Sequence, residues 1–117
     1  MRQVAKEDNV LLIDLNAMSK DLYEALGVEA SKKAFVHYPA NSYPGQDKPL
    51  ADDTHFNTYG AYGLAKCVVQ SIIDNNYKLK KFIRADWQTF DPKKPDSLND
   101  FRWYESPSVD VLKPDGN

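Results

Sequence analysis

The sequence predicts an α/β fold built on a parallel β-sheet, and three patterns support that prediction. The unbroken apolar run from Val10 to Ile13 is typical of a strand that is covered on both faces, as the strands of parallel sheets are. Helical patterns precede and follow this run, at Met1 to Asp8 and at Ala17 to Leu26. A longer amphipathic helix is predicted from about Asn57 to Asn76. This alternation of helices with an apolar strand indicates a layered α/β domain.

The size and charge of the chain exclude several classes of protein. With 117 residues, 42% of them apolar and 27% charged, it has the size of one small globular domain. Its 15 basic and 17 acidic side chains are interspersed and give a formal charge of −2, so we expect no nucleic-acid partner and no membrane partner. A single cysteine, Cys67, excludes an internal disulfide and a cysteine-based zinc site, and no pattern indicates a cofactor.

The first two predicted helices differ in how they are delimited. Met1 to Asp8 has helix-forming residues without a capping residue ahead of them, so we interpret it as the last turns of a helix that begins outside this sequence. The helix from Ala17 to Leu26 has Asn16 as its expected cap and Gly27 as its end. Its predicted buried face consists of Met18, Leu22, Ala25 and Leu26.

The segment from Tyr38 to Asp53 is predicted to be a long loop, because it contains three prolines, one glycine and few apolar residues. Loops of this length are uncommon in compact domains unless they have a function, and this one leads into Asp52 and His55. The helix after it is expected to begin at Asn57 or Thr58, either of which can cap it. Its predicted buried side consists of Ala61, Leu64, Ala65, Val68, Ile72 and Ile73.

We divide the chain into a domain over residues 1–83 and an irregular tail over residues 84–117. The tail contains four prolines, which argues against regular structure. Disordered tails are poor in aromatic residues, so we expect the large rings here to lie against the body of the protein. These rings are Trp87, Phe90, Phe101, Trp103 and Tyr104.

The apolar run at Val10 to Ile13 cannot form a buried strand by itself. A strand covered on both faces must pair its backbone donors and acceptors with neighbouring strands. We expect those neighbours to come from a missing N-terminal segment, from a second copy of the chain by exchange of elements, or from strands in the tail.

A carboxylate and an imidazole, Asp52 and His55, lie three positions apart just ahead of a predicted helix. One turn can therefore bring both side chains to the same place. In a serine hydrolase a histidine takes the proton of the attacking hydroxyl, and a carboxylate bound to its other nitrogen fixes the tautomer and stabilises the imidazolium. Asp52 and His55 are candidates for these two functions, and the nearby helix N-terminus disfavours a charged imidazole at rest.

The stretch DDTHFNTYGAYGLAKCVV resembles the last conserved block of the GDSL/SGNH hydrolases, in which Asp-x-x-His is followed five residues on by a glycine and then a helix. The run VAKEDNVLLIDLNAMSKDLYEALG and the end KPDGN are similar to the rhamnogalacturonan acetylesterase-like branch of that family. The resemblance extends over essentially all of the chain. It identifies Asp52 as the triad carboxylate and His55 as the general base, and it gives Asp53 no catalytic role.

The resemblance implies a partial three-layer α/β/α sandwich, flavodoxin-like, that lacks its N-terminal strands. It also implies removal of acetyl groups from a pectin-type polysaccharide through an acyl-serine intermediate, and a periplasmic or secreted location. The family's Gly-Asp-Ser block and the blocks that supply the oxyanion hole are absent from this sequence. We therefore interpret the chain as a C-terminal esterase segment that is inactive alone and acts with a missing N-terminal part.

Other residues of the chain suggest alternatives to this interpretation. Ser97 follows Pro95 in the tail without a preceding strand, and Ser42 lies in the loop, so neither is expected to be a nucleophile. His37 is expected to be a loop or partly buried histidine, although its side chain and those of Asp52 and His55 are of the types that bind metal ions. A noncatalytic, self-associating domain derived from a hydrolase is the alternative function, and a defined oligomer would indicate it.

Overall fold

The computed structural model describes residues 1–103, which form four helices, one β-hairpin and two short 3-10 helices. No helix in this part of the chain is long and apolar enough to cross a membrane. The two strands pair antiparallel. The elements are α1 (Arg2–Glu7), α2 (Leu15–Leu26), α3 (Val28–Lys32), β1 (Phe35–Tyr38), β2 (Leu50–Phe56), α4 (Thr58–Asp74), and the 3-10 helices Lys78–Phe82 and Leu98–Asp100.

The predicted parallel strand at Val10 to Ile13 is wrong for this structure, since these residues are extended chain without strand pairing. No strand lies beside them within residues 1–103. Leu11 is 72% exposed and Val10 is 58% exposed, so the first half of the run faces solvent, whereas Leu12 and Ile13 are half-buried. Among the described residues the backbone of this run has one long-range hydrogen bond, in which the Tyr77 hydroxyl donates to the Leu12 carbonyl at 2.9 Å. The local pattern was that of a strand, but a strand forms only when a neighbour accepts its hydrogen bonds.

The hairpin of β1 and β2 replaces the predicted loop from Tyr38 to Asp53, which in the structure is shortened to residues 39–49. Tyr38 pairs with Leu50 and His37 with Ala51. Aromatic residues favour this pairing, because Phe35 stacks on Phe56 with ring centroids 5.8 Å apart. No periodic pattern in the sequence marks the second strand, because this segment is rich in prolines and polar residues.

Helix α2 begins earlier than predicted because Asp14, not Asn16, caps it. The Asp14 carboxylate accepts a hydrogen bond from the Ala17 amide at 3.2 Å and also pairs with the Arg2 guanidinium. The helix ends at Gly27 as predicted, where the backbone adopts a φ of 77°, which glycine adopts without strain. Leu22 is the residue of this helix that is fully buried.

Helix α4 is capped by Asn57, as predicted, but its buried face differs from the predicted one. The buried residues follow the spacing of one helical face at Gly60, Leu64, Cys67 and Ser71. Of the predicted set only Leu64 is buried, whereas Ala61 and Ala65 are exposed and Val68, Ile72 and Ile73 are half-buried. The most apolar side of α4 is thus left partly open by the described residues.

The small core lies between α2, α4 and the start of the irregular segment after residue 83. Leu22, Leu64, Cys67 and Phe90 form its buried centre, with Trp87 packed against it. Gln70 holds the irregular segment in place, because its side-chain oxygen accepts from the Trp87 indole at 3.1 Å and from the Phe90 amide at 2.9 Å. Tyr104, the last of the predicted tail anchors, lies outside the described residues.

Candidate active site

Asp52 and His55 lie on an excursion of β2 from the hairpin. Asp52 faces Val36 on β1, and Phe56 faces the adjacent residue Phe35, so residues 53–55 have no partner across the hairpin. An insertion of this kind is a β-bulge, which bends the strand and redirects side chains out of the sheet. The excursion therefore brings the imidazole of His55 back over the carboxylate of Asp52.

The carboxylate of Asp52 organises this excursion through three hydrogen bonds. One oxygen accepts from the backbone amides of Thr54 at 2.7 Å and His55 at 2.9 Å. The other oxygen is 2.7 Å from Nδ1 of His55. Since a carboxylate can only accept, Nδ1 carries the proton, and Nε2 of the neutral ring is left with its lone pair. The predicted pair is thus in contact, in the tautomer that a general base requires.

The same hydrogen bonds lower the pKa of the Asp52 carboxyl from its ordinary value of 3.8 to about 2. The His55 and Thr54 amides have the largest effects, followed by the His55 ring, because each of them stabilises the ionised form. Asp52 is therefore an anion throughout the range in which a histidine can act as a base.

The end of the excursion is fixed by Asn57, whose side chain connects three segments. Its amide group donates to the carbonyls of Lys33 at 2.6 Å and Phe35 at 3.0 Å, and its oxygen accepts from the Gly60 amide at 3.1 Å. The Asn57 backbone amide also donates to Ala34 at 3.1 Å. Sequence analysis identified Asn57 as a helix cap, but its contacts to the far side of the hairpin depend on the tertiary structure.

Gly60 allows helix α4 to approach the chain just ahead of β1. A Cβ atom at this position would lie 2.0 Å from the carbonyl oxygen of Ala34, which is a backbone atom and cannot easily move. The glycine that follows the Asp-x-x-His pattern is therefore required by close packing. It sets the distance between the helix N-terminus and the strand beside His55.

None of the serines within residues 1–103 is hydrogen-bonded to His55. Ser97 caps the 3-10 helix Leu98–Asp100, where its oxygen accepts from the Asn99 amide at 3.2 Å. Ser42 donates to the Pro39 carbonyl at 2.8 Å. The hydroxyls of the other three, Ser19, Ser31 and Ser71, take part in hydrogen bonds within their own helices or at the helix end.

Two further predicted candidates have structural contacts of another kind. His37 lies on β1, with Nε2 2.6 Å from the carboxylate of Asp53. Within the described residues no group of three histidine, cysteine, aspartate or glutamate side chains has the arrangement of a metal site. Cys67 is fully buried, and burial raises the pKa of its thiol, as expected for a core side chain.

The imidazole of His55 is open to solvent, with 76% of its side chain exposed, whereas 37% of the Asp52 side chain is exposed. The next residue, Phe56, is also half exposed and lines a surface groove of about 240 Å³ together with Tyr23 and Leu64. His55 and Asp52 themselves do not line this groove. The base lies on an open surface, where Nε2 can accept a proton from a hydroxyl placed against it.

Comparison with known proteins places this chain among the GDSL/SGNH hydrolases, as a rhamnogalacturonan acetylesterase-like segment. The chain is similar to the rhamnogalacturonan acetylesterase RhgT of Bacillus subtilis (strain 168), with 42% identity over 80 residues. The match covers 68% of this chain and 34% of the relative, so the chain spans about a third of that protein. No family model matches the sequence, and no solved structure matches it.

Proposed function

We propose that this chain supplies the base and the carboxylate of a serine esterase, with His55 as general base and Asp52 as its partner. The observation that supports this most directly is the 2.7 Å contact between Asp52 and Nδ1 of His55. The attacking serine and the oxyanion-hole donors are contributed by polypeptide outside this sequence. The likeness to an acetylesterase favours ester hydrolysis over other reactions that use the same pair.

In the proposed reaction Nε2 of His55 takes the proton of the serine hydroxyl while the serine oxygen attacks the ester carbonyl carbon. The tetrahedral intermediate collapses, the carbon–oxygen bond to the sugar breaks, and the protonated His55 returns its proton to the leaving alkoxide. Water then attacks the acyl-serine by the same route, which releases acetate and restores the serine. Asp52 remains ionised and stabilises the imidazolium in both steps.

The proposed substrate is an acetylated polysaccharide of the pectin type, an inference from the resemblance and from the name of the relative. We also propose that the complete domain is a three-layer α/β/α sandwich on a parallel sheet. The apolar run at Val10 to Ile13 supports this proposal, since the backbone amides of Leu11, Leu12 and Ile13 have no acceptor within residues 1–103 and Leu11 is exposed.

The partner that covers this run is either the rest of the same domain or a second copy of the chain. Ile13 and Leu11 line an open groove of about 550 Å³ together with Ile72 of α4 and Leu79, so the uncovered surface extends from the run to the helix. Light scattering after size-exclusion chromatography distinguishes the two partners. A discrete dimer of the 117-residue chain would favour the noncatalytic self-associating domain, whereas a monomer that binds an N-terminal segment supports the esterase.

The function is tested with a chromogenic acetyl ester and the longest polypeptide that is encoded in frame with this chain. We expect His55→Ala and Asp52→Asn to lower kcat by about 10³-fold or more, with little change in KM. Asp47→Asn is the matched control, because it removes an exposed carboxylate from the same hairpin without touching the pair. Full activity of the His55→Ala protein would exclude His55 as the base.

The 117-residue chain is assayed beside the longer one. We expect it to show no turnover that depends on His55, since no serine hydroxyl within residues 1–103 is hydrogen-bonded to the imidazole. Robust turnover that His55→Ala abolishes would mean that a serine of this chain is the nucleophile, and the proposed division of the site would be wrong.

A further inference from the structure

A second histidine–aspartate pair, His37 with Asp53, lies on the same hairpin and has no part in the proposed reaction. Nε2 of His37 is 2.6 Å from an oxygen of Asp53 and donates its proton to that oxygen. The His37 side chain is 23% exposed and the Asp53 side chain is 82% exposed. The bond thus joins a half-buried, fixed ring to a carboxylate that would otherwise be free in solvent.

The position of Asp53 gives this bond its significance. Asp53 is the first residue of the excursion, directly after Asp52, which is still paired with β1 through Val36. His37 is the neighbour of Val36 on β1. The bond between His37 and Asp53 therefore crosses from the regular part of the hairpin to the point where the excursion leaves it.

The other end of the excursion is held by a comparable connection. Asn57 donates to the carbonyls of Lys33 and Phe35, which lie at the start of β1 and just ahead of it. The three residues between Asp52 and Phe56 are thus attached to the β1 segment on both sides. Fixing both ends of the bulge restricts its backbone. The entropic cost of holding His55 and Asp52 in one relative geometry is therefore smaller than it would be in a mobile loop.

We propose that His37 is a positioning residue: through its bond to Asp53 it holds the excursion in the conformation in which His55 meets Asp52. The proposal rests on the proposed function, since it concerns the same base. His37 is not expected to touch substrate. Its effect is on the fraction of molecules in which the His55 ring has the correct tautomer and orientation.

The proposal is tested by nitrogen-15 NMR of the histidine rings in the 117-residue chain, through the hydrogen exchange of the His55 Nδ1 proton with solvent. We expect His37→Phe and Asp53→Ala each to accelerate this exchange about fivefold, the factor that corresponds to the loss of one ordinary hydrogen bond. Asp53→Asn retains an oxygen that can accept from His37 and is expected to exchange like the original protein. Asp47→Asn serves as the control for loss of charge.

The outcomes separate this inference from the function on which it rests. If the unsubstituted chain has no protonated Nδ1 at His55, the proposed base fails and the inference with it. If that proton is present and Asp53→Ala leaves its exchange unchanged, only the positioning role of His37 is wrong. Asp53 is so exposed that its replacement cannot unfold the chain by disturbing the core, so this result is interpretable even if His37→Phe fails to fold.

In the longer enzyme a positioning role has a distinct kinetic effect. We expect Asp53→Ala to lower kcat about fivefold while KM for the acetyl ester stays unchanged, and Asp53→Asn to restore most of the loss. A change in KM alone would contradict the inference, because it would mean that the pair contacts substrate.

Discussion

The segment from Asp52 to Asn57, which forms the junction between the hairpin and helix α4, and the apolar run from Val10 to Ile13 are both marked by patterns in the sequence. The two regions differ in how their polar groups find hydrogen-bond partners. At the junction, the side chain of Asn57 and the carboxylate of Asp52 supply hydrogen bonds from within the chain. The apolar run has one long-range hydrogen bond among the described residues, from the Tyr77 hydroxyl to the Leu12 carbonyl, and Leu11 is largely exposed. A pair of side chains held by short-range contacts can therefore form in a chain whose described residues leave an apolar segment largely uncovered.

The largest loss of stability is expected from a side chain inserted between α4 and the segment before β1. Gly60→Ala places a methyl group against the carbonyl of Ala34 and should destabilise the fold by about 3 kcal/mol or more, since overpacking against backbone cannot relax. Urea unfolding followed by circular dichroism measures the change. Gly63→Ala is the matched control, because its methyl group would meet only the tip of Leu22 at 3.3 Å.

Gly63→Ala should stay within about 1 kcal/mol of the original protein, since the gain in helix propensity offsets a small shift of the leucine. Equal effects of the two substitutions would mean that the close approach at Gly60 does not limit stability. The junction would then be no more tightly specified than the rest of the helix.

The next largest effect is expected at the connection itself. Asn57→Ala removes the cap of α4 and leaves the carbonyls of Lys33 and Phe35 without their donor, which should cost about 2 kcal/mol. Asn57→Asp keeps the cap but loses the donor, so its cost separates the two contributions. If Asn57→Asp is as stable as the original protein, the contacts to the hairpin contribute nothing to the junction.

A smaller effect is expected from acid, and it distinguishes two carboxylates whose pKa values are lowered for different reasons. Because Asp52 titrates at about 2 rather than 3.8, its contribution to stability is fully present above pH 3.8 and is lost as the pH falls through about 2. The pKa of Asp14 is lowered first by the hydrogen bond from Arg2 and then by the Ala17 amide. Carboxyl carbon NMR follows both titrations.

Salt should affect the pKa values of these two carboxyl groups differently. Screening at about 1 M sodium chloride should raise the pKa of Asp14, whose partner is an exposed guanidinium, and should leave that of Asp52 nearly unchanged. The reason is that the largest contributions at Asp52 come from backbone amides, which are held in place by the excursion. An equal response of both groups to salt would contradict this explanation.

The smallest effect is expected in the apolar run. Leu11→Ser should change the stability of the 117-residue chain by less than about 0.5 kcal/mol, because the leucine side chain is largely exposed and its replacement removes little buried apolar surface. Leu22→Ala is the matched control and should cost about 3 kcal/mol, since that leucine is in the buried core. A large effect of Leu11→Ser would show that the run is covered in solution.

Local signals in the sequence were sufficient for much of the architecture. The cap at Asn57, the end of α2 at Gly27 and the core position of Cys67 follow from short-range chemistry, and the structure has all three. The three-residue spacing of Asp52 and His55 likewise predicted that one turn could bring them together. Such features are accessible because the interacting groups are neighbours in the chain.

The errors have a common physical origin in long-range contacts. The hairpin was missed because β2 is polar and its partner lies across eleven loop residues, so no periodic pattern marks it. The buried face of α4 was assigned to its most apolar side, whereas the contact with α2 and Phe90 selects the side with Leu64 and Cys67. The strand at Val10 to Ile13 requires a neighbour that the described residues do not supply.

Helices α1, α2 and α4, the end of α2 at Gly27 and the pair of residues that can act as carboxylate and base follow from the sequence alone, because each depends on groups a few positions apart. The way in which the excursion of β2 is held depends on the tertiary structure, because Asn57 fixes one end and the bond between His37 and Asp53 fixes the other. Those bonds join residues 16 to 24 positions apart, and the chain must fold before such groups can meet.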